Sequence, residues 1–451
     1  MSGMGENIKT RSPYDPASPG AGEAQNQTSS SAPGTAGGVG GNEPMAKLPR
    51  LRELPGAERG PATICWGRKV RGSNRLECGE PIDDPRVVDE VMRLINEFLD
   101  RVEKHKAVLL SESATPFDNA INALSNWLQE IKVKVGEGGS EGIIRLRNAM
   151  LDIGRAMLRL AEEAREGWLK KYRRELEELV ERLRSGGVKI IISGDPFDKD
   201  VSFTVHLYMD GLAIVVDRVA KRGNITMWVS FTGLEGVRVV VPRLLGDGKL
   251  RAMQCGLLLT DGSIHVRGYP MMDTAQLWQV IAWLIAWPGR NHMYIHGLNL
   301  NDSGVSVMWR LMAVDHKGAF KNKAEVAEEA SKLGDEEFPT FMLYAILGDG
   351  NVNVKEKSVR LTMGKSKLEL WGGIIERLKS LGFRKKNDNG YAVAYAVNSS
   401  KAIELARKML SDEAVKALIE NLAQLPDAER LRRLITLAGM EPGHWAVHQS
   451  R

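Results

Sequence analysis

Two acidic turns in the second half of the chain hold the residues best suited to chemistry. One apolar run, Met253-Gln254-Cys255-Gly256-Leu257-Leu258-Leu259, ends in Thr260-Asp261-Gly262. Another, Phe341-Met342-Leu343-Tyr344-Ala345-Ile346-Leu347, ends in Gly348-Asp349-Gly350. The two Asp are 88 positions apart, and a β-alternating stretch follows each Gly. Either motif alone reads as a helix exit, with Gly supplying the backbone freedom of the turn. The duplication adds a physical constraint. A helix C-terminus carries partial negative charge, so an Asp there is disfavoured. Two such ends brought together repel unless a cation lies between them.

No other catalytic pattern competes. The chain has no GxxxxGK[ST] phosphate loop, no HExxH pair and no GxSxG elbow. His292 and His296 have the i, i+4 spacing of metal ligands only on a helix. Their stretch reads as a strand, where residues four apart lie about 13 Å from each other. His206 reads as a core or surface histidine, and Trp278, Trp283 and Trp287 as helix-core packing. Cys65, Cys78 and Cys255 build neither a disulfide framework nor a CxxC zinc pair. A reducing, cytoplasmic setting is therefore expected. No apolar run reaches the roughly 18 residues of a membrane span, and the N-terminus lacks a hydrophobic signal core.

The formal charge of +5 is modest, but its distribution is uneven. Residues 351–408 hold 13 Lys or Arg against 5 Asp or Glu, whereas residues 251–350 hold 8 against 11. After Asp349, the polar residues Asn353, Lys355, Arg360 and Thr362 alternate with Val352, Val354, Val359 and Leu361. Such a period places a polar, basic face opposite an apolar one. Arg384 and Lys386 on the next hairpin complete this candidate binding surface.

These residues depend on the elements around them. Residues 1–60, rich in Gly, Ser, Pro and Ala, read as disordered. Residues 61–186 read as a helical region. It opens with a basic linker, or a loop contacting phosphate, with Arg68, Lys69, Arg71 and Arg75 around Trp66. Asp83–Ser185 reads as helical, with a first apolar stripe over Val87, Val91, Leu94, Ile95, Phe98 and Val102, a helix near Pro116–Val133 and a long one over Ile143–Arg184 stopped by Gly186-Gly187. Residues 187–243 read as β-rich. Residues 244–334 and 335–425 then repeat one order of helix, strands, helix, hairpin and helix, and 426–451 form a tail. In the first copy Asp273 is predicted to cap a helix over Thr274–Trp287. In the second a helix is predicted over Lys365–Leu381.

The doubled Asp-Gly motif resembles that of LAGLIDADG homing-endonuclease-like proteins. The stretch Asp335–Asp349-Gly350 through Glu369-Leu370-Trp371, with Lys408–Asp412, is similar to the PaREP-type repeat proteins of hyperthermophilic crenarchaea. The resemblance implies an α+β protein whose helical and β-rich N-terminal region precedes two LAGLIDADG-like αββαββα half-domains related by a pseudo-two-fold axis. It implies duplex DNA as partner and Asp261 and Asp349 as ligands of Mg²⁺, a hard cation suited to carboxylates that would activate water. Lys365 is the nearest match to the family's lysine, while the first copy offers only His265 and Arg267. Close helix packing in the family uses a small residue six before the final Gly. Gly256 provides it, but Tyr344 stands there in the second copy. A monomer with two pseudo-symmetric halves is implied, with a dimer through the N-terminal helices as an alternative. Three functions stay open: a metal-dependent endonuclease, a DNA-binding protein that has lost cleavage, and a structural or host-interaction role.

Overall fold

The computed structural model describes residues 63–440, apart from 72, 74, 222 and 389. The segment 1–60, expected to be disordered, lies outside the described residues. In chain order the elements begin with β1 (Thr63–Arg68), β2 (Glu77–Pro81), α1 (Pro85–Lys104), α2 (Lys106–Leu109), α3 (Asp118–Gly136), α4 (Glu141–Gly167) and α5 (Arg173–Ser185). Five strands follow: β3 (Lys189–Gly194), β4 (Phe203–Tyr208), β5 (Leu212–Arg218), β6 (Ile225–Phe231) and β7 (Val237–Val241). Next come α6 (Asp247–Leu259), β8 (Gly262–Ile264), β9 (Pro270–Thr274), α7 (Leu277–Ala286), β10 (Gly289–Leu300), β11 (Val305–Ala313) and α8 (Lys323–Lys332). The same αββαββα order recurs in α9 (Phe338–Asp349), β12 (Gly350–Asn353), β13 (Ser358–Gly364), α10 (Gly372–Ser380), β14 (Arg384–Asp388), β15 (Ala392–Asn398) and α11 (Ser399–Met409). Helices α12 (Glu413–Leu422) and α13 (Glu429–Leu437) close the described chain.

The chain is an α+β protein of two compact units. Among the described residues one comprises 63–116, 166–235 and 297–306, the other 117–165, 236–296 and 307–440. In the first unit the strands run β2-β1-β3-β4-β5-β6, with β6 paired to Gly297–Asn299 of β10. Their alternation does the sorting: Phe203, Val205 and Leu207, Leu212, Ile214 and Val216, and Met227, Val229 and Phe231 are buried on one face. Helix α1 packs on β5 and buries its stripe Val87, Val91, Leu94, Ile95, Phe98 and Val102. Asp84 caps it by accepting the Arg86 amide at 2.9 Å, and Pro85 holds its first position.

Two expectations for this region change. The basic linker or phosphate-contacting loop expected over 61–85 is instead a pair of strands. β1 and β2 run antiparallel, and β1 runs parallel to β3 with Thr63 opposite Lys189 and Trp66 opposite Ile192. A disulfide joins Cys65 to Cys78 across this pair, in place of the free thiols expected of a reducing setting. The long predicted helix over Ile143–Arg184 also has a break in its pitch. A π turn at Trp168–Tyr172 lies between α4 and α5 and presents Trp168 and Tyr172 to Phe231.

The second unit holds both αββαββα repeats apart from 297–306. Its strands form two groups. Strand β7 pairs with Gly289–Met293 of β10, followed by β11, β9 and β8. Strands β12, β13, β15 and β14 form a separate four-stranded sheet. Helix α7 is buried over its whole length, which settles Trp278, Trp283 and Trp287 as core. It begins at Leu277, not at Thr274. Asp273 is no cap: it lies in β9 opposite Arg310, which forms an ion pair with it at 2.6 Å. The capping carboxylate is Asp427, which accepts the Leu277 amide. Residues read as a C-terminal tail thus contain α13, with Leu431, Leu434 and Ile435 buried. Among the described residues no helix is long and apolar enough to cross a membrane.

Candidate functional site

The two motif helices, α6 and α9, pack directly against each other. The fit is set by two glycines. A Cβ on Gly256 would lie 2.7 Å from the Tyr344 Cβ and 2.9 Å from the Phe341 carbonyl oxygen. A Cβ on Gly348 would lie 2.5 Å from Thr260 Oγ1 and 3.0 Å from Asp261 Oδ2. Only bare backbone fits at either place. Tyr344 therefore does not prevent close packing, because the glycine facing it gives it room. The side chain is fully buried, and burial pushes its hydroxyl well above the usual phenol range.

Each helix leaves its Asp half-buried, and the Asp261 charge acts on Asp349. Asp261 is held on the first side by a relay. Thr274 Oγ1 donates to Gln279 Oε1 at 2.5 Å, and Gln279 Nε2 in turn donates to Asp261 Oδ2. Gln279 is itself buried in the apolar helix α7. Burial raises the Asp261 carboxyl above the ordinary range, against the hydrogen bond from Gln279 and the charges of Arg430, Lys323 and Lys367. Burial likewise lifts Asp349, to about 7. Lys367, Lys323 and Arg430 oppose that rise, and the Asp261 charge adds to it. The two carboxylates therefore share one electrostatic environment, as expected for helix ends brought together.

Three cations populate that environment, and none was among the candidates read from sequence. Arg430 on α13 is the most informative. Its Nη1 donates to the carbonyls of Leu347, at 2.7 Å, and Gly348, at 2.5 Å, in the last turn of α9. A guanidinium at a helix C-terminus satisfies orphan carbonyls and complements the dipole. Lys323 opens α8, whose N-cap Asn322 accepts the Glu325 amide at 3.0 Å. Lys367 lies in the single 3₁₀ turn Lys365–Lys367. The predicted Lys365 is directed elsewhere: its Nζ forms an ion pair with Asp388 at 2.6 Å. His265 and Arg267 fall in the turn between β8 and β9, where His265 Nδ1 accepts the Arg267 amide at 3.2 Å.

The donor set fits a divalent cation poorly. Among the described residues no group of three His, Cys, Asp or Glu side chains converges. One Asp261 oxygen is taken up by the Gln279 amide, and three resident cations act on the two carboxylates.

The candidate DNA contacts sort by strand register. In the sheet of β12–β15, Val359, Leu361 and Met363 point into the core with Val393, Tyr395 and Val397. The opposite face has a row across all four strands, Asn351, Arg360, Ala396 and Arg384. Beside it lie Asn353, Ser358 and Asn398 on one side and Thr362, Ala394 and Asn387 on the other. Arg360, Thr362, Asn353 and Arg384 thus share one face, on which the two arginines are exposed while Ala394 and Ala396 are buried. Lys355 does not lie on a strand: β12 stops at Asn353, and Lys355 is exposed in the turn before β13. Lys386 is the extra residue of a bulge in β14, between Lys385 opposite Tyr395 and Asn387 opposite Ala394.

No family model matches this sequence. No curated protein is detectably similar to it. Among solved structures, the full-length DUF199/WhiA protein from Thermatoga maritima is similar with a TM-score of 0.26 and 9% identity, over 44% of this chain and 64% of that one. The chain thus spans less than two thirds of that protein's length, and a likeness so slight carries no argument.

Proposed function

We propose that this chain is a duplex-DNA-binding protein of LAGLIDADG-like architecture that engages DNA mainly through the sheet β12–β15 and does not cut it. The observation that carries the reading is the row Asn351–Arg360–Ala396–Arg384. It sets two exposed guanidiniums on one face around a buried small residue, and neither forms an ion pair among the described residues. Guanidiniums so placed suit phosphate oxygens, which accept two hydrogen bonds from one Arg.

The paired architecture has independent support. Gly256 and Tyr344 each stand six residues before the Gly that ends their motif, and they touch. Thr260 and Gly348 each stand two before it, and they touch as well. Contact between equivalent positions is what a two-fold relation between the helices requires. The absence of cleavage rests on the poor metal fit of the Asp261–Asp349 pocket and on Lys365 being committed to Asp388.

Fluorescence anisotropy on duplex oligonucleotides, together with supercoiled plasmid incubated in Mg²⁺ or EDTA, tests the proposal. Salt-sensitive binding without nicking in either condition is the expected result. Mg²⁺-dependent nicking that Asp261→Asn and Asp349→Asn both abolish would replace this reading with that of an endonuclease. Absence of binding at low salt would end both.

A further inference from the structure

We infer that Arg430 takes the place of a divalent cation between the two motif-helix ends, making the Asp261–Asp349 pocket a self-neutralised joint that takes no metal. Two helix C-termini that each end in Asp repel one another, and a positive charge beside them relieves that repulsion. Arg430 meets this need covalently. Its guanidinium bonds the Leu347 and Gly348 carbonyls, and its charge acts on Asp261 and Asp349 together. It arrives on a short helix anchored at both ends of its approach. Three residues earlier Asp427 accepts the Leu277 amide at the start of α7, and Leu431, Leu434 and Ile435 are buried beyond it. One segment, 427–435, thus caps the start of a first-repeat helix and the end of a second-repeat helix. Lys323 from the first repeat and Lys367 from the second add positive charge that acts on both carboxylates and opposes the entry of a metal ion. DNA binding by the sheet plays no part in this joint and can fail or succeed separately.

The test is an Mn²⁺ titration of the full-length chain followed by electron paramagnetic resonance, with thermal melting in MnCl₂, in EDTA and in NaCl of equal ionic strength. The wild type is expected to bind no stoichiometric Mn²⁺ and to melt at the same temperature in all three. Arg430→Gln removes the resident charge but keeps a hydrogen-bond donor. It is expected to melt lower in EDTA, to recover part of the loss in MnCl₂, and to bind Mn²⁺ about tenfold more tightly or better. Adding Asp349→Asn to Arg430→Gln should abolish that gain. One equivalent of Mn²⁺ bound by the wild type and lost in Asp261→Asn or Asp349→Asn overturns the inference, and so does a folded Arg430→Gln that takes up no Mn²⁺. Should Arg430→Gln fail to fold, the wild-type titration decides alone.

Discussion

Two sheet faces in the second unit follow motif helices in the same element order and carry opposite surface chemistry. After α6, the face away from the core bears Met271 and Asp273 on β9, Arg310 and Met312 on β11, and His292, Tyr294 and His296 on β10. Its arginine is fully engaged. Arg310 holds Asp273 through two hydrogen bonds, at 2.6 and 2.7 Å, and lies 3.2 Å from His296 Nε2. Burial, then the Arg310 charge, lowers His296 to about 4, so it adds no positive charge near neutrality. After α9, the equivalent face bears Asn351, Asn353, Arg360, Thr362 and Arg384. Among the described residues the ion pairs of this sheet lie at its rim, where Asp388 binds Lys365 and Lys385. The backbone plan alone therefore does not decide which face can attract a polyanion. What decides is whether a neighbouring strand supplies a carboxylate opposite the arginine, as Asp273 does opposite Arg310 and Ala396 does not opposite Arg360.

Three substitutions probe this contrast. The comparison presumes that the motif helices bind the two repeats together. Gly256→Val places carbon within 2.7 Å of Tyr344, so chemical denaturation should show a loss of about 3 kcal/mol, the upper part of the overpacking range. Unchanged stability would mean that the helices are not tightly joined. Next, Arg310→Ala should cost on the order of 2 kcal/mol by leaving Asp273 half-buried without its partner, while duplex affinity stays within a factor of about two. A large drop in affinity with intact folding would make the first face part of the DNA surface.

The third effect concerns pH. Burial lifts the Asp349 carboxyl to about 7, so between about pH 4 and 7 the folded chain keeps a proton that the unfolded chain releases. Stability from this group is present at low pH and is lost as pH rises through that window. Asp349→Asn removes the dependence. Relative to wild type, the variant should gain up to about 4 kcal/mol on going from pH 4 to pH 8, about three pKa units at roughly 1.36 kcal/mol each, read from paired thermal melts. A gain at low pH that vanishes at high pH would show that the carboxylate is stabilised as the anion.

Elements built on local periodicity were legible in the sequence. The stripe of α1, the strands β3 to β7 and both αββαββα orders follow from spacings of three, four and two residues, which hold wherever the chain packs. Parts set by distant partners were not. Asp273 sits before an apolar helix as a cap would, but a strand neighbour 37 residues away claims it. Lys365 stands where a site lysine is expected, yet Asp388 pairs with it, and it is the charge of Lys367, two residues on, that acts on the carboxylates. Gln279 does carry a local signal, as one of few polar residues in an apolar helix. Arg430 offers none: an arginine in a helix so rich in charge reads as solvated until its 82-residue reach to Gly348 is seen. Residues 61–85 hold too few apolar positions to announce strands, and pairing with β3 creates them.

The salt dependence of duplex binding tests the central claim most directly. Anisotropy titrations across a range of NaCl should give the wild type a steep linear fall of log affinity against log salt. Arg360→Ala with Arg384→Ala should weaken binding by about tenfold or more at low salt and flatten the slope by roughly 0.9 for each phosphate no longer neutralised. The double variant should fold as the wild type does, since both side chains are exposed. Equal affinity and equal slope in the two proteins would show that DNA does not lie on the sheet β12–β15.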